Sequence, residues 1–431
     1  MNAHNDPMDC CREYENAAQL SRRRFLKGMA ATSAAAVSTT MFGDALRQTS
    51  FGATPAGNVL VVISLRGGID GLGMVVPHGD PAYYTARPTI ALPRESLVAQ
   101  DPMFGLHPKM KPLEWLFTGG ELAAVHAVGL PVPNRSHFAA MEEIEDADPA
   151  SSARRGWVNR MIGLNATEDP SEAIYLGSSI IPTSMSGSAP VLGTASLDQL
   201  TLVGAENADV WATRRRDQLA QMWAGGATSQ LHGGYRSALR TVDRMSPVAS
   251  TAYVPDVVYP HSWPSTDLSD ALQDTARLIK ADVGTEAVSI DFGTWDMHSN
   301  YGSTISGDMQ AMTGGFAAVL DAFMRDLGPD LRQRVTVVTI SEFGRRIKEN
   351  GNKGLDHGWG NMMLVAGGGV KGGQYYGQWP GLGDGKQVDD DLKVTTDYRN
   401  VLGEIVTSRF PDRSIASVFP GLTYSPLGLM S

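Results

Sequence analysis

The chain has 431 residues, and its 36 Lys and Arg side chains are outnumbered by 46 Asp and Glu side chains, giving a formal net charge of −10. This length suffices for one large α/β domain or two smaller ones. The acidic balance, with no long basic run after residue 53, argues against a nucleic-acid partner, because phosphate binding requires clustered cations.

The first 53 residues have the parts of an export signal. A twin-arginine box, Ser-Arg-Arg-Arg-Phe-Leu-Lys at residues 21–27, precedes an apolar stretch rich in Ala, Ser and Thr at residues 28–42 and small residues at 50–53. At about 15 residues the apolar stretch is too short to span a bilayer core, which requires roughly 20. We therefore expect residues 1–53 to be a twin-arginine signal that is removed on export.

This signal predicts a compartment and an export partner. The partner is the twin-arginine translocase, and the mature chain, residues 54–431, is expected to be periplasmic or secreted without a stable membrane span. Cleavage would also remove Cys10 and Cys11, the only 2 cysteines of the sequence. The mature chain could then form no disulfide, and its stability would have to come from the core.

Beyond the signal, apolar β-branched runs alternate with segments of helical spacing. In chain order, the patterns predict a strand at 59–64, a helix at 109–117, a strand at 122–128, helices at 136–146 and 267–281, a strand at 287–290, a helix at 309–327, strands at 335–340 and 362–366, and a helix at 398–408. This alternation predicts an α/β fold, a three-layer sandwich with a mostly parallel central sheet. The less regular stretch at 180–262 is interpreted as an insertion or cap.

Polar side chains recur where the predicted strands end or begin. In open α/β sheets, ligands bind beyond the carboxyl ends of the strands. The residues at these positions are Arg66, Asp70, Arg135, Ser136, His137, Asp291, Asp296, His298, Ser341, Glu342, Arg345, Asp356 and His357. Carboxylates and imidazoles at one edge of one sheet could build a divalent metal site with mixed oxygen and nitrogen ligands.

Several of these residues also have an ordinary structural interpretation. Asp70 lies in a Gly-rich turn, where Asp is common. The Asp-Met-His sequence at 296–298 and the Asp-His pair at 356–357 could equally form hydrogen bonds within loops. A carboxylate such as Glu342 at the end of a buried strand must be paired, hydrogen-bonded or metal-bound, and Arg345 is its ordinary partner.

Ser136 and His137 open a predicted helix and have two interpretations each. Ser is a preferred N-cap residue, so Ser136 could simply cap the helix. A nucleophile at a helix start would instead gain from the helix dipole and the free amide groups, which favour an anion. His137 is either a core histidine or a ligand.

Six motifs together resemble the bacterial domain of unknown function family 1501, over nearly the whole mature chain. They are Leu-Arg-Gly-Gly-Ile-Asp-Gly-Leu at 65–72, Asp-Pro-Ala-Tyr-Tyr at 80–84 with Arg-Pro at 87–88, Arg-Ser-His-Phe at 135–138, Trp-Asp-Met-His at 295–298, Ser-Glu-Phe-Gly-Arg at 341–345 and Gly-Leu-Asp-His-Gly at 354–358. A twin-arginine leader is common in that family. The resemblance by itself names no reaction.

That family is similar in turn to a branch of the alkaline phosphatase and sulfatase superfamily. The similarity implies an alkaline-phosphatase-like sandwich with metal ligands at the strand ends and a nucleophile at a helix N-terminus. Carried over by position, Asp70 would be the acidic metal ligand after the first strand. Ser136 would be the nucleophile.

The same similarity implies further metal ligands. Asp291 or Asp296, together with His298, would match the superfamily's Asp and His ligand pair, and His357 would match its late histidine. Glu342 stands where the superfamily usually has an Asp followed by a His. Here a phenylalanine follows, so one ligand of a two-metal site is missing or replaced.

Three hypotheses follow. The first is an exported metal-dependent hydrolase of phosphate or sulfate esters, in which Ser136 attacks and Arg66 or Arg345 holds the ester oxygens of a small anionic substrate. Its divalent ion, zinc, manganese or calcium, would be held among Asp70, Asp291, Asp296, His298, Glu342, Asp356 and His357. The second is a non-catalytic protein of the same fold that binds an envelope glycan, another ligand or a partner. The third keeps these residues as hydrogen-bonded strand ends without a metal.

Overall fold

The computed structural model describes residues 57–149, 151, 153–163, 169–200, 214, 217–218, 220–222 and 230–431. The predicted export signal, with Cys10 and Cys11, lies outside the described residues. Among the helices of these ranges, none is long and apolar enough to cross a membrane.

A mixed sheet runs through the centre of the described chain. Its strands are β1 Val59–Leu65, β4 Leu122–Gly129, β5 Ala173–Leu176, β6 Leu192–Thr194, β7 Ala287–Phe292, β8 Val335–Ile340, β9 Asn361–Gly367, β10 Tyr375–Tyr376 and β11 Thr396–Asp397. The order is β10-β4-β9-β8-β1-β7-β5-β6, and β11 also pairs with β4. Two short strands, β2 Val75–Val76 and β3 Gly105–Leu106, form a separate antiparallel pair.

Strand β9 is antiparallel to both of its neighbours, β4 and β8, whereas the other pairings of the central sheet are parallel. Asn361, the first residue of β9, pairs with Val128 near the end of β4. The segment that precedes β9 therefore lies at the edge where the parallel strands end. This arrangement brings residues 356–357 to the same edge as the residues that follow β1, β7 and β8.

The helices surround the sheet on both sides. They are α1 Gly71–Met74, α2 Pro81–Ala86, α3 Glu114–Thr118, α4 His137–Asp146, α5 Trp157–Ile162, α6 Gln230–Ser250, α7 Thr266–Ala281, α8 Asp308–Asp326, α9 Gly328–Arg332, α10 Tyr398–Arg409 and α11 Ile415–Val418. Short 3-10 helices occupy Arg94–Ser96, Pro108–Leu113, Pro170–Glu172, Thr183–Met185 and Leu197–Gln199.

The two faces of β1 show why the fold has three layers. Val61 and Ile63 belong to one buried apolar cluster, together with residues of α7 and α8. Leu60 and Val62 belong to a second cluster, with residues of α4, α5 and α10. Successive side chains of a strand point to opposite faces, so an uninterrupted apolar run places helices on both. The predicted α/β sandwich with a mostly parallel sheet is confirmed.

Two sequence-based expectations differ from the structure in detail. The helix expected at 109–117 is a 3-10 helix, Pro108–Leu113, followed by α3, because Pro112 lies inside it and cannot donate a backbone hydrogen bond. The region 180–262, expected to be irregular, contains the 21-residue helix α6. This helix contains a glycine pair at 233–234 and Pro247, residue types that commonly interrupt helices.

The carboxylate of Asp326, at the end of α8, connects three elements away from the strand-end edge. It accepts hydrogen bonds from the hydroxyls of Tyr253 at 2.5 Å and Tyr259 at 3.0 Å, and from the backbone N–H of Asp256 at 2.8 Å. Lys280 of α7 lies 2.7 Å away. The side chain of Asp326 is fully buried, so these four donors share one buried acceptor, although Lys280 also pairs with Asp256 at 2.9 Å.

We expect Asp326→Ala to lower the free energy of unfolding by about 3–5 kcal/mol, because it leaves buried donors without an acceptor. Urea denaturation followed by circular dichroism measures this change. Asp330→Ala, at an exposed position on α9, is the matched control and should have little effect. If Asp326→Ala lowered the free energy of unfolding by less than about 1 kcal/mol, the hydrogen bonds to Asp326 would not be important for stability.

His126 of β4 makes the fold sensitive to acid. Its ring stacks on Phe104 with centroids 4.3 Å apart, and its Nδ1 is buried without a hydrogen-bond partner. Burial lowers the pKa of His126 to about 4, although Asp101 opposes the shift. Because the folded-state pKa lies below the unfolded value of about 6.5, the neutral ring stabilises the fold above pH 6.5 and this contribution is lost as the pH falls toward 4.

Replacing His126 by Phe should therefore reduce the fall in stability between pH 6.5 and pH 4. The test compares urea midpoints of the wild type and His126→Phe at several pH values in this window. Equal slopes of the free energy of unfolding against pH in the two proteins would exclude His126 as a source of the acid sensitivity.

Candidate metal centre at the strand-end edge

The residues that cluster at the strand-end edge come from four places in the chain. His137 is the first residue of α4, Asp296 and His298 lie in the loop after β7, and Glu342 follows β8. His357 lies in the segment before β9, which enters from this edge. The sheet topology therefore explains why residues so distant in sequence meet.

Three imidazole rings converge through the same ring atom. The Nε2 atom of His357 lies 3.0 Å from Nε2 of His137 and 2.9 Å from Nε2 of His298. Asp296 lies against all three rings. Its Oδ1 is 3.2 Å from Nε2 of His298 and 3.3 Å from Nε2 of His357, and its Oδ2 is 3.6 Å from Nε2 of His137.

The opposite nitrogen of each ring faces a hydrogen-bond acceptor. Nδ1 of His137 lies 2.8 Å from Oε1 of Glu342, and Nδ1 of His298 lies 2.9 Å from Oδ1 of Asp356. Nδ1 of His357 lies 2.9 Å from the backbone oxygen of Arg135. A neutral imidazole has one N–H, and these acceptors hold it at Nδ1. The three Nε2 lone pairs then point toward one another, which is repulsive unless a cation lies among them.

His137, Asp296 and His357 form a group whose potential ligand atoms all lie within 4.8 Å of one another. The two Nε2 atoms are 3.0 Å apart, Oδ1 of Asp296 lies 3.3 Å from that of His357, and Oδ2 lies 3.6 Å from that of His137. These distances are close to the roughly 3.3 Å between ligand atoms that tetrahedral zinc with bonds of about 2.0–2.1 Å requires. His298 adjoins this group through His357 and Asp296. The donor chemistry and the spacing therefore fit a divalent ion.

The charges around the cluster are arranged to favour a cation. Burial would lower the pKa of His137, but hydrogen bonds to Asp296 and Glu342 outweigh it and raise this pKa to about 9. Burial would raise the pKa of Asp296, but the three imidazoles and Arg345 hold it well below its usual range. A proton on His137 thus relieves the lone-pair repulsion, and a metal ion would have to displace that proton.

The carboxylate of Glu342 fixes the orientation of His137. Besides the imidazole, it accepts hydrogen bonds from the backbone N–H of Gly67 at 2.8 Å and from the hydroxyl of Ser341 at 3.0 Å. It is buried, and His137 lowers its pKa against the opposing effect of burial. Glu342 therefore lies behind a candidate ligand, where such carboxylates orient the ring and raise its basicity.

The structure places Asp70 in a different buried cluster. Its two carboxylate oxygens accept hydrogen bonds from the guanidinium of Arg87 at 2.6 and 2.9 Å, and Oδ2 also accepts one from the hydroxyl of Tyr301 at 2.6 Å. Asp70 and Arg87 are both almost fully buried. Both oxygens are occupied by a cation of the protein itself, and Asp70 does not join the three histidines.

Arg66 and Asp291 also form a separate group at the same edge. Nη2 of Arg66 lies 2.6 Å from Oε1 of Glu145 and 3.0 Å from Oδ1 of Asp291. The hydroxyl of Tyr175 donates to Oδ2 of Asp291 at 3.0 Å. Glu145 lies on α4 two turns after His137, roughly 12 Å along the helix axis, so the group flanks the histidines.

Ser136 and Arg345, the other two residues predicted to act on substrate, lie in contrasting surroundings. Ser136 occupies the N-cap position of α4 and is exposed, but its side chain makes no capping hydrogen bond. Arg345 is buried, and its Nη2 donates to Oδ1 of Asp296 at 2.6 Å. Ser136 is thus exposed next to His137, whereas the guanidinium of Arg345 is buried against Asp296.

Sequence reasoning left His137 undecided and missed two supporting groups, the backbone oxygen of Arg135 and the side chain of Asn350. Asn350 donates to the backbone oxygen of His298 at 3.0 Å and to Oδ1 of Asp356 at 3.0 Å. One available signal was the position of His137 at the start of the helix that follows, across a loop, the predicted strand 122–128. No such signal exists for Asn350, which lies in an irregular loop.

Several solved structures are similar to this chain. They include the C-terminal periplasmic domain of EcEptC from Escherichia coli in complex with Zn, at 9% identity and a TM-score of 0.32 over 72% of this chain and 73% of that one. The lipoteichoic acid synthase LtaP from Listeria monocytogenes is 8% identical, with a TM-score of 0.34 over 79% of this chain and 72% of that one. The alkaline phosphatase from the Antarctic bacterium TAB5 is 11% identical, with a TM-score of 0.33 over 75% of this chain and 95% of that one. Similarities this distant carry no conclusion about activity.

No curated protein matches the chain. The model of a family described as "Protein of unknown function (DUF1501)" matches residues 58–402, which is well over half of the sequence. The family resemblance seen in the six sequence motifs is thereby confirmed. The protein belongs to the DUF1501 family.

Proposed function

We propose that this protein is a metal-dependent hydrolase of phosphate or sulfate esters. The observation that carries the proposal is the convergence of three imidazole Nε2 atoms and one carboxylate, each ring held by an acceptor behind it. His137, His357 and Asp296 would hold the ion, with His298 beside them. When bound, such an ion supplies Lewis acidity and lowers the pKa of a coordinated nucleophile.

The ligand set bears on which metal is bound. Imidazole nitrogens suit zinc and other transition metals, whereas calcium takes oxygen ligands. Three histidines around one carboxylate therefore favour zinc, with manganese as a second choice, over calcium among the three ions expected from the sequence.

Ser136 is the proposed nucleophile. Its hydroxyl is exposed at the start of α4, next to His137, and is not consumed by capping. The N-terminal end of α4 and its dipole would favour the anionic ester group at this place. Position and accessibility thus support the role that the sequence suggested.

Arg66 is better placed than Arg345 to bind ester oxygens. Only Nη2 of Arg66 pairs with protein carboxylates, and its Nε and Nη1 donate to no other atom of the described chain. The side chain is 20% exposed. Arg345, by contrast, is 1% exposed. Its remaining N–H groups can donate to an oxyanion through charge-assisted hydrogen bonds.

A groove that includes Asn350 favours a second candidate function. Its volume is about 630 Å³, and its lining combines apolar residues with polar ones, among them Lys348, Asn350 and Gln387. Asn350 also holds Asp356 behind His298. A protein that binds an envelope glycan in this groove, without hydrolysis, is the alternative.

We further propose export by the twin-arginine translocase to the periplasm or the medium. The twin-arginine box and the apolar stretch that follows it support this proposal. Replacing Arg22 and Arg23 by Lys should retain the protein in the cytoplasm, as measured by cell fractionation. Unchanged export of this variant would exclude the route.

Metal content is the first test of the proposed site. Elemental analysis of the purified wild type should find about one zinc or manganese ion per chain. His137→Ala and His357→Ala should each lose it, because each removes a ligand atom. His261→Ala, at an exposed histidine far from the cluster in the sequence, is the control that should retain the ion.

A folded wild type that stays metal-free after incubation with zinc and manganese would exclude the metal-dependent hydrolase. Retention of the ion in His137→Ala and His357→Ala would place the metal elsewhere in the chain.

Hydrolysis of aryl phosphate, phosphodiester and sulfate esters by the metal-loaded protein is the second test. Ser136→Ala should lower kcat by about 10³-fold or more, as loss of a nucleophile does, without changing metal content. Ser246→Ala, at an exposed serine of α6, should leave kcat unchanged. Full activity in Ser136→Ala would remove the serine from the mechanism, and a metal-loaded wild type inert toward all three ester classes would favour the glycan-binding alternative.

A further inference from the structure

We infer that Asp391 is a positioning residue which, through Arg135, fixes the backbone oxygen that orients His357, an inference that rests on the proposed metal site. Arg135 directly precedes Ser136 and His137. Neither the proposed metal ligands nor the proposed substrate contacts include its side chain. Its contacts in the folded protein join the metal centre to a buried carboxylate 256 residues further along the chain.

The side chain of Arg135 binds Asp391. Its Nε donates to Oδ2 of Asp391 at 2.9 Å, and its Nη2 donates to the same oxygen. The carboxylate is fully buried, whereas the side chain of Arg135 is 32% exposed. Two charge-assisted hydrogen bonds therefore anchor a long, partly exposed side chain to a point inside the protein.

The backbone of Arg135 holds the ring of His357. Its carbonyl oxygen lies 2.9 Å from Nδ1 of His357, whose Nε2 atom faces the other two imidazoles. One residue thus combines a side-chain anchor with a backbone acceptor. If the anchor is lost, the acceptor can move, and the ring loses the contact that directs its Nε2 atom toward the centre.

Asp391 is the last residue of a tight turn, residues 388–391. The first and last residues of the turn exchange backbone hydrogen bonds of 3.1 and 2.9 Å, and its two central residues have left-handed φ angles of 53° and 66°. Positive φ at both central positions is characteristic of a type I′ turn. The next residue, Leu392, accepts a hydrogen bond from the backbone N–H of Gly360 at 3.0 Å. The turn is therefore connected to the segment that carries His357, and Asp391 is held relative to the ring that it orients.

Stability alone accounts poorly for this buried carboxylate. Oδ1 of Asp391 is buried and has no hydrogen-bond partner within the described chain. Burial of a charge costs free energy, and an ion pair offsets that cost only when the remaining lone pairs are also hydrogen-bonded. The pair is better explained by what Arg135 carries, which is the acceptor for His357.

The chain offers a matched control in Asp326. Its side chain is as fully buried as that of Asp391, and it pairs with Lys280, a cation that is likewise partly exposed. It lies away from the strand-end edge. Asp326→Ala therefore removes a buried carboxylate from a partly exposed cation, as Asp391→Ala does, without touching the metal centre.

The test measures zinc affinity by competition with a chromophoric chelator, and the visible spectrum of the cobalt-substituted protein, for the wild type, Asp391→Ala and Asp326→Ala. Asp391→Ala should bind zinc about 10–100-fold more weakly, with an altered cobalt spectrum, as loss of a group that orients a ligand does. Asp326→Ala should lower the thermal midpoint but keep the affinity and the spectrum of the wild type. Wild-type affinity and spectrum in Asp391→Ala would overturn the inference.

Arg135→Met tests the same pair from its partly exposed side, in case Asp391→Ala does not fold. It should weaken zinc binding to a similar extent. The double variant Arg135→Met/Asp391→Ala should bind zinc no more weakly than either single variant, because the two side chains act through one contact. Additive losses in the double variant, or wild-type affinity in Arg135→Met, would overturn the inference.

The same measurements separate this inference from the proposed activity. Zinc binding by the wild type without ester hydrolysis would refute the proposed activity and leave the inference standing. A wild type that binds no zinc would refute both.

Discussion

Three imidazole lone pairs directed at one point are the constraint on which this site depends. Neutral rings whose Nε2 atoms lie about 3 Å apart repel one another, and the acceptors at each Nδ1 prevent the rings from turning their protons inward. The cluster is therefore stable only with a cation at its centre, whether the proton on His137 or a metal ion. The acceptors behind the rings, which are Glu342, Asp356 and the backbone oxygen of Arg135, orient the Nε2 atoms toward that cation.

The other buried carboxylates at this edge are each paired with an arginine of the chain. Asp70 is neutralised by Arg87, and Glu145 and Asp291 are neutralised by Arg66. These carboxylates already have a cation supplied by the chain, as burial of a charge requires. Asp296 also has one, Arg345, but its carboxylate lies in addition against three imidazole rings. A candidate ligand differs here from a structural carboxylate by its contact with these rings.

The sequence predicted the core of the sheet and half of the site for physical reasons. Strands buried on both faces are uninterrupted apolar runs, as in β1, and residues at strand ends meet because the strands are parallel. Asp296 and His298 follow from that rule, whereas His357 reaches the same edge because it precedes the antiparallel strand β9. Asp70 does not, because no local pattern shows that Arg87 folds back onto it, and His137 stayed undecided because a histidine at a helix start has no distinguishing spacing. The same limit hid α6, because its glycines and proline obscure a helical pattern.

The distribution of the ligands along the chain has a thermodynamic consequence. His137 and His357 are 220 residues apart in sequence, and the strands between them must all be paired before their Nε2 atoms meet. An unfolded chain therefore does not bring these two histidines together, and the free energy of metal binding would add to the stability of the folded sheet. Binding of a metal ion by both histidines would therefore indicate that the whole sheet has folded, and not only that one loop is ordered.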